Sequence, residues 1–168
     1  SGANPIWAES SGGVNTPFFR AGVGGGSISS PTAGTAYKIP MNTEKFDIGG
    51  CFNNTNSTVT LNGISTPSYS FAPNVAGKYV LLAGIRVSEG NLNSSYMRIG
   101  IRKNGSTEEI YNGNDQDGAY YPNIQVHGIV EANGTSDYFH VEYNIRDNGY
   151  QIYDNDNTTF FSGFKLID

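Results

Sequence analysis

The sequence predicts an all-β protein, an antiparallel jelly-roll β-sandwich of about ten strands. Three observations carry this. The stretch Phe71-Ala-Pro-Asn-Val-Ala-Gly77-Lys-Tyr79-Val-Leu-Leu-Ala-Gly-Ile85 reads as a short strand, a turn broken by Pro73 and Gly77, and a long apolar strand. The chain ends on a second apolar run, Phe160-Phe161-Ser-Gly163-Phe164-Lys-Leu166-Ile167, whose internal glycine permits a close backbone approach. There are 22 glycines and 12% aromatics, with Asn, Ser and Thr between the apolar runs, which is the composition of short strands and tight turns rather than helices.

The elements follow in order. Residues 1–15 form a polar, Gly/Ser-rich stretch around Ile6 and Trp7, read as a linker or stalk connection with Ser1-Gly2 as a tag remnant. The head domain is placed at 16–168. Pro17–Ala21 opens its first strand, and Gly22–Gly34 is a glycine-rich loop. Short strands follow at Tyr37–Met41, Phe46–Ile48 and Val59–Leu61, the last closing on Asn62-Gly63, a two-residue hairpin signal. Tyr79–Val87 and Tyr96–Arg102 are long strands. Asn104-Gly105 turns the chain back through Glu109–Tyr111, and Asn112–Gly118 is a polar loop. Tyr120–Glu131 and Tyr138–Ile145 flank a third Asn-Gly turn, Asn133-Gly134. Asp147–Asn157 reads as an exposed loop carrying Tyr150, Ile152 and Tyr153, and Phe160–Ile167 closes the sheet.

Composition narrows function by exclusion. The 168 residues suit one domain that buries a real core without a metal or disulfide staple. Charged residues make up only 15% against about 25% in ordinary soluble domains, so neutral amides and hydroxyls wet the surface. A net charge of −5 argues against a phosphate-tracking nucleic-acid site, and Arg98, Arg102 and Lys103 do not form one patch on an alternating strand. Cys51 stands alone and reads as a small buried hydrophobe beside Phe52. No run approaches the ~18 apolar residues of a membrane helix, so membrane insertion is not expected.

With these residues in view the chain resembles the C1q and tumour-necrosis-factor-like globular heads. Phe71, Pro73, Gly77 and Tyr79 carry the turn-plus-strand signature. Asn42-Thr-Glu-Lys-Phe46-Asp before a glycine pair, Gly134 with Asp137, and the ending Phe161-Ser-Gly163-Phe164 complete it in order over Thr16–Ile167. Two places depart: Leu81 stands where an aromatic is expected, and the usual Gly-Asp pair is spread out as Gly134-Thr-Ser-Asp137. The resemblance implies a ten-stranded jelly roll assembled as a homotrimer at the tip of a stalk, non-catalytic, recognising partners through exposed loops. The wording of 41–47 resembles heads found on bacterial and bacteriophage fibres, which places the domain outside the cell or on a virion, at a fibre tip.

Candidate sites divide by position. Tyr79, Tyr96, Phe139, Phe161 and Phe164 are expected at core or trimer contacts. Asp115, Asp117, Tyr120, Tyr121, Tyr150 and Tyr153, in or beside the loops 112–121 and 147–157, combine flat rings with amide and carboxylate acceptors suited to a receptor or glycan. Calcium is the one cofactor to weigh, at Asp115 and Asp117, although the loop fails the EF-hand spacing. His127 and His140 sit on alternating strands without a nucleophile pattern, and nothing fixes a carboxylate pair among Glu131, Asp137 and Glu142. Two other readings stay open, a monomeric carbohydrate-binding module of a secreted enzyme and a trimerisation clamp without a ligand.

Overall fold

The computed structural model describes residues 15–29, 32–89, 96–115, 121–146 and 150–167. The described residues contain no helix. Their strands are β1 (Phe18–Gly22), β2 (Ile28–Ser29), β3 (Tyr37–Lys38), β4 (Thr43–Ile48), β5 (Phe52–Asn53), β6 (Val59–Leu61), β7 (Ile64–Thr66) and β8 (Ser70–Phe71). The second half adds β9 (Gly77–Glu89), β10 (Tyr96–Lys103), β11 (Thr107–Asp115), β12 (Asn123–Ala132), β13 (Phe139–Ile145), β14 (Gln151–Ile152) and β15 (Phe160–Lys165).

Two antiparallel layers face each other. The first runs β4-β1-β15-β9-β12, with β14 and β2 continuing beside the end of β9. The second runs β11-β10-β13-β8-β5, with β3 also on β13. β6 and β7 form a separate hairpin. Ten strands therefore make the two layers, as expected, and the remaining strands are short additions. The last strand, β15, lies inside its sheet between β1 and β9.

Alternation explains the core. Along β9, Tyr79, Leu81, Ala83 and Ile85 point between the layers and are buried, as are Met97, Ile99 and Ile101 on β10 and Val141 and Tyr143 on β13. An aromatic cluster fills one end: Phe19 stacks on Phe71 at 4.3 Å and Phe52 at 4.9 Å, and meets Phe161 edge-on. Tyr79 joins it through Phe71 and donates its hydroxyl proton to the Val75 carbonyl at 2.6 Å. Cys51 is buried as expected.

Two Asn-Gly expectations resolve differently. Asn62 and Gly63, with φ of 49° and 82°, turn β6 into β7 as a hairpin, because both central positions of that turn need positive φ. Asn133-Gly134 does not make one. β12 pairs with β9 and β13 with β10, so this segment carries the chain from one layer to the other. The Asn133 side chain organises the crossing by accepting from the N–H groups of Thr135, Ser136 and Asp137.

Loop 147–157 also departs from expectation. Tyr150 and Ile152 are fully buried, and Gln151–Ile152 pairs as β14 with both β2 and β9. The apolar spacing Tyr150-x-Ile152 is a strand's period of two, which the surrounding Asn and Asp residues disguise.

Candidate functional site

The surface with the clearest physical signature is the outward face of the first layer. Register puts Ile48 beside Phe18, Phe18 beside Phe164, Phe164 beside Val80, and Val80 beside Ile129. These five side chains form an apolar stripe across five strands. Next to it runs a mixed row, Phe46–Arg20–Ser162–Leu82–His127. Four of the apolar members are well exposed: Ile129 at 63%, Ile48 at 47%, Phe46 at 42% and Phe164 at 37%. Between them lies an open groove of about 420 Å³ lined by Phe18, Phe46, Leu82 and Phe164, with Arg20 and Ser162 at its polar side. Water meets a continuous greasy band here, and such a patch on a soluble protein marks an interaction surface.

Of the five residues expected at core or trimer contacts, only Phe164 lies on this face. Tyr79, Phe139 and Phe161 are fully buried between the layers of a single chain, so they cannot reach a neighbour. Tyr96 lies on the second layer, half-buried under the Arg146 guanidinium at 5.2 Å. A strand's odd and even side chains face opposite ways, so Tyr79 and Phe161 fill the core while Val80 and Phe164 on the same strands point outward. Sequence reasoning did not single out the outward members Phe18, Phe46, Ile48, Val80 and Ile129; for Val80 the signal is the run Tyr79-Val-Leu-Leu82, which is apolar on both faces of its strand.

The expected recognition residues divide as well. Asp117 and Tyr120, and the side chain of Asp115, lie outside the described residues, so the calcium expectation at Asp115 and Asp117 falls there too. Tyr150 is a correction: it packs edge-on against Tyr143 in the core, where burial pushes its phenol up to about 12, and no ligand can touch it. Tyr121 and Tyr153 meet on one cation. The Arg86 guanidinium carbon lies 5.5 Å from the centre of the Tyr121 ring and 5.3 Å from that of Tyr153. Arg86 follows Val80, Leu82 and Gly84 on the outward face of β9, about 20 Å along the strand from Val80.

The second layer's outer face carries paired charges. Arg98 pairs with Glu108 and Arg102 with Glu142 around a pocket of about 130 Å³ over Gly100. His140 is buried, with Nε2 2.9 Å from Glu142 Oε1. Burial, with the nearby Lys38 and Arg102, holds its imidazole below the ordinary histidine range against the pull of Glu142. His127 is exposed on β12, across from Leu82 in the register. Among the described residues no group of three His, Cys, Asp or Glu side chains is placed to hold a metal ion.

With the geometry established, comparison with known proteins adds the architecture. No protein-family profile matches the chain, and no curated protein is similar to it in sequence. Solved structures match in shape. Murine APRIL at pH 8.0 superposes with a TM-score of 0.59 at 11% identity, covering 89% of this chain and 98% of that one. The globular domain of zebrafish complement 1qA gives 0.58 at 12%, covering 89% and 96%. The chain has the C1q/TNF-like jelly-roll fold. At these identities the likeness concerns the C1q/TNF-like fold alone. No described helix is long and apolar enough to cross a membrane.

Proposed function

We propose that this chain is the non-catalytic, homotrimeric head domain of a fibre or surface appendage, of the bacteriophage tail-fibre kind. It stands at the outer tip of that structure and binds a cell-surface receptor or glycan. The apolar stripe Ile48–Phe18–Phe164–Val80–Ile129 carries the reading. Covering a Val-, Ile- or Phe-sized side chain contributes about 1.5–3 kcal/mol, whereas association costs about 4–15 kcal/mol. One such residue cannot hold a complex together, but a stripe supplied from both sides of each contact can. The C1q/TNF-like fold, shared with murine APRIL and the zebrafish complement 1qA globular domain, supports the same arrangement. The titratable groups on the other layer support a non-catalytic role, since Arg98, Arg102, Lys103 and His140 are each committed to a carboxylate.

The competing reading, a monomeric carbohydrate-binding module of a secreted enzyme, accounts for exposed tyrosines but leaves the stripe facing water. A pair of substitutions separates the two. Ile129→Arg, in the stripe, is expected to reduce the mass measured by light scattering to that of one chain. Tyr111→Ser removes an equally exposed ring from the other layer and is expected to leave the mass unchanged. Equal behaviour of the two variants contradicts the assignment of the face.

A further inference from the structure

We propose that Arg86, Tyr121 and Tyr153 form a binding site for a carboxylated sugar, an inference that rests on the head-domain reading and names the chemistry of its ligand. Among the described arginines, Arg86 alone lies within cation–π range of two aromatic rings. The other cations have different commitments. Arg98 and Arg102 are neutralised by Glu108 and Glu142, and Arg20 lies over Phe160 while donating to the Asp156 carbonyl. No described carboxylate pairs with Arg86.

The backbone under the cluster is fixed from three directions. The Arg86 carbonyl accepts from the Tyr153 N–H at 2.8 Å, and the Arg86 N–H donates to Thr159 Oγ1 at 3.3 Å. The Val87 N–H donates to the carbonyl of Pro122, the residue after Tyr121, at 3.0 Å. Asn123, exposed, sits directly across from Arg86 in the β12–β9 register. The site is thus built on a long strand and its neighbours.

This set of groups selects a ligand by chemistry. A guanidinium engaged through ring faces keeps its edge donors for a planar, bidentate acceptor, and carboxylate fits that fork. The tyrosine rings offer flat apolar surfaces to the C–H face of a pyranose, and the Asn123 amide is placed for a hydroxyl. The protein's net charge of −5 gives no bulk attraction for an anion, so recognition must come from this local cation. One such site binds weakly, and three on one assembly gain by avidity.

The experiment titrates the intact protein with tri-galacturonic acid, with its fully methyl-esterified form, and with tri-glutamate, measuring assembly mass in parallel. The acid is expected to bind at least tenfold more tightly than the ester and the peptide. Arg86→Gln is expected to lose at least tenfold and Tyr153→Ala to weaken binding. Arg86→Lys, which keeps charge without the fork, should fall between wild type and Arg86→Gln, all at unchanged mass. Equal binding of acid and ester, tighter binding of tri-glutamate, no binding of the acid, or an Arg86→Gln variant that binds normally overturns the inference. Any of these with an intact trimer leaves the head-domain reading standing, whereas a wild-type protein of single-chain mass removes that reading itself.

Discussion

The surroundings of His140 set a pH dependence on the acid side of neutrality. In the neutral ring Nε2–H can donate to Glu142, while Nδ1 is buried with no hydrogen-bond partner. A second proton would have to sit on Nδ1 without an acceptor, close to Lys38 and Arg102, and burial is the largest effect opposing it. The folded imidazole therefore titrates below its unfolded value of about 6.5. Stability from this source is fully present above that pH and is lost as pH falls through the lowered value. The melting temperature is expected to drop between pH 7 and 5, and to drop less in His140→Gln. An NMR titration placing His140 above 6.5 contradicts this account. Asp137 behaves similarly at lower pH. Burial pushes its carboxyl up, but Asn104 at 2.8 Å, Lys103 at 3.0 Å and the Asn133 N–H at 2.9 Å together hold it below the usual carboxylate range. Its contribution is present above about pH 4 and is lost as pH falls through the lowered value. Asp137→Asn should cost about 1–3 kcal/mol at pH 7 by urea titration and abolish that acid limb. A variant as stable as wild type would show that the crossing between layers does not depend on it.

At the scale of elements, β15 shows what the sequence made readable and what it hid. Its internal glycine signalled close approach, and a Cβ at Gly163 would lie 2.5 Å from the Leu81 side chain and 2.9 Å from the Val80 carbonyl oxygen. Gly163→Ala is therefore expected to destabilise by about 1–3 kcal/mol in chemical denaturation, while Ser162→Ala on the outward face changes little. Equal effects would mean that β15 and β9 are less tightly apposed than the register requires. The long strands were legible because alternation and β-branched runs persist over many residues, and Asn62-Gly63 because its turn needs only local chemistry. Asn133-Gly134 shows the limit of such a signal: it marks a turn, with positive φ at Gly134, but not which strand the chain pairs with next. The parity of β9 and β15 was hidden because Val80, Leu82 and Phe164 are as apolar as Tyr79, Leu81 and Phe161. Tyr121 and Tyr153 were legible as ring-bearing loop residues. Arg86 was not, because it lies on a strand far from both in sequence, and only pairing brings the three together.

For the whole molecule, a two-layered sandwich has two outer faces, and here they differ in kind. One carries paired charges around a small polar pocket. The other carries an apolar stripe from Ile48 to Ile129 that is exposed among the described residues. On the function proposed above, further copies cover the second face and the tips carry recognition. Sedimentation equilibrium of the wild-type protein at micromolar concentration tests this most directly. The account predicts about 54 kDa, three times the 18.1 kDa chain, holding steady on dilution. A single species of about 18 kDa would contradict it.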